Sequence, residues 1–345
     1  MIKKLFTRND LIESLKKVGD SYKIFIPVKE GDFHSFRPLN QEARPNLDFQ
    51  NTRLSAKSVV YPQSERMFEC ILDPESPDKG VFKEAAKDYT PRVIVGLRPC
   101  DAQAFHIVKK NFDNAEYRDP WWVRRFETTV LIGLGCNEPC PTCFCTSVGG
   151  GPFNEEFLDA VLYDLGDGYL VKSVTPKGEE FLSKVVGGAD AADATLKKAE
   201  ALATGAVKQV VSKLPSDKLK GKDINDLFKA PFWEDVAFSC INCGTCTFLC
   251  PTCWCFDIQD EVHGKQADRV RNWDTCMSPL FTLEGSGHNP REKKFQRVRQ
   301  RFMHKLKYYV DKYDSGVQCS GCGRCVRYCP VNIDIRKIAA LMNEF

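Results

Sequence analysis

Two stretches of the chain carry cysteine at the same spacing. Cys240, Cys243, Cys246 and Cys250, followed by Pro251, and Cys319, Cys322, Cys325 and Cys329, followed by Pro330, both read C-x2-C-x2-C-x3-C-P. Three thiolates spaced this closely let one tight loop wrap a cube and present sulfur to three irons, and the run is a signature of [4Fe–4S] ligation. Gly244 and Gly323 free the backbone for close approach or a positive φ. The fourth cysteine precedes a proline, which suits the first turn of a new helix, and residues 333–344 have the pattern of one. Paired C-x2-C steps also suit zinc; the third cysteine and the Cys-Pro step favour iron–sulfur.

In two-cluster ferredoxins the fourth cysteine of each run serves the other cluster. The expected sets are therefore Cys240, Cys243, Cys246 with Cys329, and Cys319, Cys322, Cys325 with Cys250. A further group lies upstream. Cys100 follows an apolar run at 93–97, and Cys136 follows another at 129–134. In a right-handed βαβ unit those strand ends lie side by side, where open α/β sheets place ligands. Cys143 and Cys145 share the loop of Cys136, so a third cluster on Cys100, Cys136, Cys143 and Cys145 is expected. Cys140 could replace Cys136 or Cys143, and spacing does not choose. The alternative is a zinc site or unligated buried thiols. Two filled C-terminal clusters leave Cys253, Cys255 and Cys276. They are candidates for a fourth cluster with one non-cysteine ligand, His263 or Asp257 being conceivable, or are reduced thiols beside the clusters. The echo of Cys140-Pro-Thr-Cys-Phe-Cys145 in Cys250-Pro-Thr-Cys-Trp-Cys255 leans toward ligation. Cys70 stands alone and reads as a small buried apolar residue.

The elements that must position these residues follow from pattern. Residues 8–18 read as an amphipathic helix capped near Asn9 or Asp10, and 22–28 alternate like a strand. The runs 93–97 and 129–134 have the β-branched character of strands buried in a parallel sheet, with a helix at 102–112 between them. A strand is expected at 168–174, and helices near 155–163 and 190–212. The expected fold is α+β: an α/β domain over 1–185, a helical linker over 186–231, and a mainly α-helical dicluster domain over 232–345. Basic residues from Arg291 to Lys307 read first as a solvated helix face, and otherwise as charge that offsets thiolate-bound clusters or docks an acidic partner. Trp121-Trp122 suit a core or subunit interface, and Arg124-Arg125 could line the N-terminal cluster.

Composition excludes several classes. Among 345 residues, 49 basic and 46 acidic side chains nearly cancel, which argues against a general nucleic-acid binder. No run suits membrane insertion, and the first residues lack the apolar stretch of a signal peptide, so a cytoplasmic location is expected. Seventeen cysteines, an odd number without an export signal, suit metal binding better than a disulfide framework. Gly133-Leu-Gly135-Cys136 continues Asn-Glu-Pro and cannot make a dinucleotide turn. No Walker loop occurs, and the five histidines form no catalytic set.

The order of these motifs resembles the iron–sulfur β subunits of cytosolic NiFe sulfhydrogenases, a group that includes the first subunit of anaerobic sulfite reductase. The resemblance rests on Pro99-Cys100-Asp101, on Cys136 with Cys143-Phe-Cys145, and on CPTCWC followed by Asp257 and Asp260-Glu261. It continues through Trp273-Asp274-Thr275-Cys276, Gly287-His288-Asn289, the Arg-rich helix and the last cysteine run. It implies Cys100, Cys136, Cys143 and Cys145 as the N-terminal cluster ligands; Cys70 and Cys140 match no motif of the family. It also implies an electron-transfer subunit with three clusters, and room for a fourth, between a flavin- and NAD(P)-binding partner and a catalytic subunit of hydrogenase, sulfite reductase or heterodisulfide reductase type. The competing classes are a reductase with its own substrate site at an atypical cluster, and a zinc-binding interaction module.

Overall fold

The fold is described from a computed structural model covering residues 1–345. Twelve strands form two sheets: β1 (Lys3–Thr7), β2 (Lys23–Glu30), β3 (Phe33–Pro38), β4 (Ser64–Ile71), β5 (Phe82–Glu84), β6 (Arg92–Leu97), β7 (Thr129–Leu134), β8 (Ala160–Asp164), β9 (Gly168–Ser173), β10 (Ala189–Asp190), β11 (Phe256–His263) and β12 (Gln266–Trp273). The larger sheet runs β10-β1-β9-β8-β7-β6-β2-β3. Its centre, β2-β6-β7-β8, is parallel, and its flanks are antiparallel.

Successive residues of β6 and β7 enter different cores: Ile94 and Leu131 on one face, Val93, Val95, Val130 and Ile132 on the other. Burial on both faces explains why these strands are continuous apolar runs rather than alternating ones. The expected βαβ unit is present, with a helix at Pro99–Phe112 and a second at Pro120–Glu127 between the parallel strands. The register shifts near Gly96, at φ 81°, where a Cβ would come within 2.7 Å of Leu47. That irregularity lies just before Arg98-Pro99-Cys100.

A third core belongs to the cysteine-rich end. Trp233, Phe302, Met303, Leu306, Ile335, Ile338 and Met342 pack together, and Phe144 joins them from the upstream loop with no exposed surface. The segment 186–231 runs from one core to another. Its β10 pairs with β1, the helix Asp193–Gln209 buries Ala199 and Ala206 against the sheet, and Leu214, Leu219 and Leu227 enter the cysteine-rich core.

Several elements differ from expectation. Residues 155–159 form a loop and 160–163 belong to β8, because parallel pairing with β7 overrides their helical spacing. Thr7, rather than Asn9 or Asp10, caps the first helix, its side chain accepting from the Asp10 N–H. The hairpin β11–β12 was not expected; it adds to β4 and β5 in a second, antiparallel sheet. The basic segment is helical from Lys294 to Tyr313, with one wider turn at His304–Tyr308. Its solvated-face reading fails: Arg297, Arg301, Lys305 and Lys307 are buried. No helix is long and apolar enough to cross a membrane.

Candidate iron–sulfur centre

The two cysteine runs fold alike. Asn242 and Gly321, each just before the second cysteine, take φ of 55° and 67°. Gly244 and Gly323, each just after it, take 73° and 72° and start the short helices Thr245–Phe248 and Arg324–Arg327. Asparagine is among the few non-glycine residues at ease with a positive φ. The paired left-handed residues turn the backbone around the cysteines and aim N–H groups at sulfur. The Asn242 N–H donates to Cys240 Sγ at 3.4 Å, Gly321 N–H to Cys319 Sγ at 3.4 Å and Ile333 N–H to Cys329 Sγ at 3.2 Å. Such bonds offset thiolate charge and tune a bound cluster.

Cys240, Cys243, Cys246 and Cys329 line one pocket, and Cys250, Cys319, Cys322 and Cys325 line the next. The structure thus brings together the groups that exchange the fourth cysteine between runs. Cys325 also touches the first pocket, so the two adjoin. Burial pushes the Cys246 thiol up to about 11 and the Cys319 thiol up to about 12. Bare thiols there stay protonated, whereas bound iron would displace the proton and leave the thiolate as ligand.

The upstream cysteines gather in a third pocket. Cys100 lies in the first turn of the helix Pro99–Phe112, past the end of β6, and Cys136 lies past the end of β7, as the βαβ reading required. Cys140, Cys143 and Cys145 line the same pocket, together with Gly321 and Cys322 of the second run. Burial pushes the Cys100 and Cys136 thiols up. The Cys140 sulfur lies 3.7 Å from the Arg327 guanidinium. Arg124 and Arg125 play no part: Arg125 pairs with Glu65. Two further arginines lie close by: Arg98, donating to the Gly135 carbonyl at 2.5 Å, and Arg324, paired with Asp101 at 2.5 and 2.7 Å.

This third pocket is pressed against the second cysteine run. A Cβ on Gly321 would fall 2.5 Å from the Cys145 nitrogen, and one on Gly323 would fall 2.6 Å from the Thr142 carbonyl. The Phe144 N–H donates to the Gly321 carbonyl at 2.8 Å. The echoed Cys-Pro-Thr-Cys loop makes the matching contact downstream, Thr252 Oγ1 donating to the Gln318 carbonyl at 2.9 Å. Both echoed loops therefore touch residues 318–323.

Cys253, Cys255 and Cys276 line a separate, wider cavity. His263 and Asp257 do not join them; both are exposed on β11, and His263 sits at the hairpin end beside Glu261. Cys70 lies on β4 opposite Ala267 and is half-buried. The hairpin had a legible signal, the alternation of Phe256, Ile258 and Val262 before Gly264. Arg98, Lys57 and Arg324, in contact with the cysteine loops, carried none.

The residues present fit iron–sulfur clusters. No three His, Cys, Asp or Glu side chains converge tightly enough for one metal ion; tetrahedral zinc would hold its sulfurs about 3.8 Å apart. The thiols instead line shared pockets in groups of three or more, which suits a multinuclear cluster. Arg301 is buried where pockets meet, and its Nε and Nη1 have no partner. A buried cation with unsatisfied donors calls for nearby negative charge, which thiolate-bound clusters supply.

Residues 239–333 match a family model described as a 4Fe-4S dicluster domain. The chain is also similar to sulfhydrogenase 2 subunit beta of Pyrococcus furiosus, with 30% identity over 340 residues, covering 97% of this chain and 96% of that one. A likeness of that extent spans both the sheet domain and the cysteine-rich end, so the chain belongs to the family of iron–sulfur β subunits of sulfhydrogenases, electron-transfer subunits of oxidoreductases.

Proposed function

We propose that the chain is a cytoplasmic relay holding three [4Fe–4S] clusters, on Cys240, Cys243, Cys246 and Cys329; on Cys319, Cys322, Cys325 and Cys250; and on Cys100, Cys136, Cys143 and Cys145. When bound, such clusters accept and release single electrons. The observation that carries the reading is the shared position of the second cysteine run, whose residues line the middle pocket and also the upstream one. Cys322 stands at that junction. Arg301, Arg324 and Lys305 bring fixed positive charge to the buried thiolates.

A partner binding flavin and NAD(P) would convert a two-electron hydride into single electrons, since this chain carries no nucleotide-binding turn. A catalytic subunit of hydrogenase, sulfite reductase or heterodisulfide reductase type would take the other end. Replacing Cys322 by Ala is expected to remove about four iron per chain and to abolish electron transfer through the assembled complex. Unchanged turnover of the complex would refute the relay.

A further inference from the structure

Cys253, Cys255 and Cys276 stand outside the twelve ligands of the proposed relay, yet the fold collects them. Cys253 and Cys255 extend from the loop after Cys250, and Cys276 follows β12. Cys255 and Cys276 share the cavity wall, and the Asp274 N–H donates to the Cys255 carbonyl at 3.0 Å. All three thiols line one cavity of about 430 Å³.

Buried positive charge surrounds them. Lys57, Arg301 and Lys305 are 7%, 2% and 2% exposed. Lys57 Nζ donates to the Cys250 and Cys253 carbonyls, both at 3.1 Å, and lies 4.0 Å above the Trp273 ring. Lys305 Nζ donates to Thr252 Oγ1 at 2.7 Å, and Arg301 Nη2 donates to the Cys246 carbonyl at 2.8 Å. These partners are neutral oxygens, and Arg301 keeps two donors unmatched. Three cations buried this way are costly without compensating anions. The cysteine pockets of the other two C-terminal sites compensate Arg301 and Lys305. Lys57 lies beside Cys250 and Cys253 and needs charge here.

We propose that Cys253, Cys255 and Cys276 hold a fourth [4Fe–4S] cluster whose remaining corner faces the cavity and takes a small anion from solution. The three thiols leave one corner without a cysteine. The cavity wall is largely aromatic, with Trp254, Phe256 and Phe281, and the charged side chains set into it are all cations, Arg291, Arg301, Lys305 and Lys312. With no carboxylate among the lining residues, those cations favour a small anion at the open corner. The proposal goes beyond the relay and depends on it only for the other clusters that share the chain.

The test compares the full chain with the C253S/C255S/C276S variant, both reconstituted anaerobically. Iron and sulfide are counted, and the reduced proteins are examined by EPR with and without cyanide as the probe. About 16 iron in the unaltered chain and about 12 in the variant are expected, with cyanide shifting a signal that the variant lacks. Equal iron in both proteins overturns the fourth cluster. A spectrum indifferent to cyanide overturns the open corner, because a protein group such as His304, which also lines the cavity, would then close it. If the variant does not fold, the cyanide response of the unaltered chain decides alone. Failure of the relay reading looks different: iron is then missing from the twelve-cysteine sites, while the difference between chain and variant is unaffected.

Discussion

Arg301 shows how single residues tune this molecule. Burial alone would lower its pKa, but Cys246, Cys325, Cys253 and Cys250, once ionised as ligands, would more than offset that. A fixed cation beside a cluster favours the reduced form, which carries the extra negative charge. At an effective dielectric of about 20 and a separation of about 8 Å, one charge contributes roughly 2 kcal/mol, or about 90 mV for a one-electron couple. Arg301→Met is therefore expected to lower the midpoint of at least one cluster by tens of millivolts in a redox titration, with iron content retained. An unchanged titration would remove Arg301 from the account. Gly321 makes a steric claim of the same kind. Its φ of 67° and a Cβ position 2.5 Å from the Cys145 nitrogen leave no room for alanine. Gly321→Ala should cost about 2 kcal/mol or more and reduce occupancy of the upstream site. Gly285→Ala, with open space around it, should change the urea midpoint little.

At the scale of elements, the joint between the sheet and the cysteine-rich end is held by Arg324. It leaves the short helix Arg324–Arg327 and pairs both guanidinium nitrogens with Asp101, two residues into the helix that carries Cys100. Its Nε also donates to the Thr52 carbonyl at 2.9 Å. Both partners of the pair are nearly inaccessible, at 1% and 2%. Removing one partner of a buried ion pair strands the other, at about 3–5 kcal/mol. Arg324→Met is expected to lower the unfolding free energy measured in urea by that amount, and Asp101→Asn added to it should recover part of the loss. Additive losses in the double variant would contradict direct pairing. Sequence revealed the helix at 102–112 and the cysteine run around Arg324, but not the pair, since nothing in local spacing links positions 101 and 324. The βαβ unit was legible because strands buried on both faces are unbroken apolar runs. β8 was hidden because Phe157, Leu158 and Val161 also fit a helical period, and only the pairing partner decides between the two.

Across the whole molecule, the cysteine runs were legible because ligand spacing is a local property of the chain. The upstream site was legible in part: strand ends placed Cys100 and Cys136 together, while the choice among Cys136, Cys140 and Cys143 depends on a loop that only folding arranges. What no spacing contained is the way the pockets adjoin. The glycines of the second run admit the loop 142–145, and Phe144 crosses into the cysteine-rich core. The basic helix looked solvated because its charges outnumber its apolar residues, yet its inner face meets buried cysteines whose charge as ligands would pair with Arg301 and Lys305. The central claim is that these sites form one connected relay. EPR of the fully reduced chain tests it most directly. The account predicts signals split by interaction between neighbouring clusters, which lose part of that splitting in Cys322→Ala. A colourless protein that binds zinc without sulfide, or isolated signals that Cys322→Ala leaves unaltered, would contradict it.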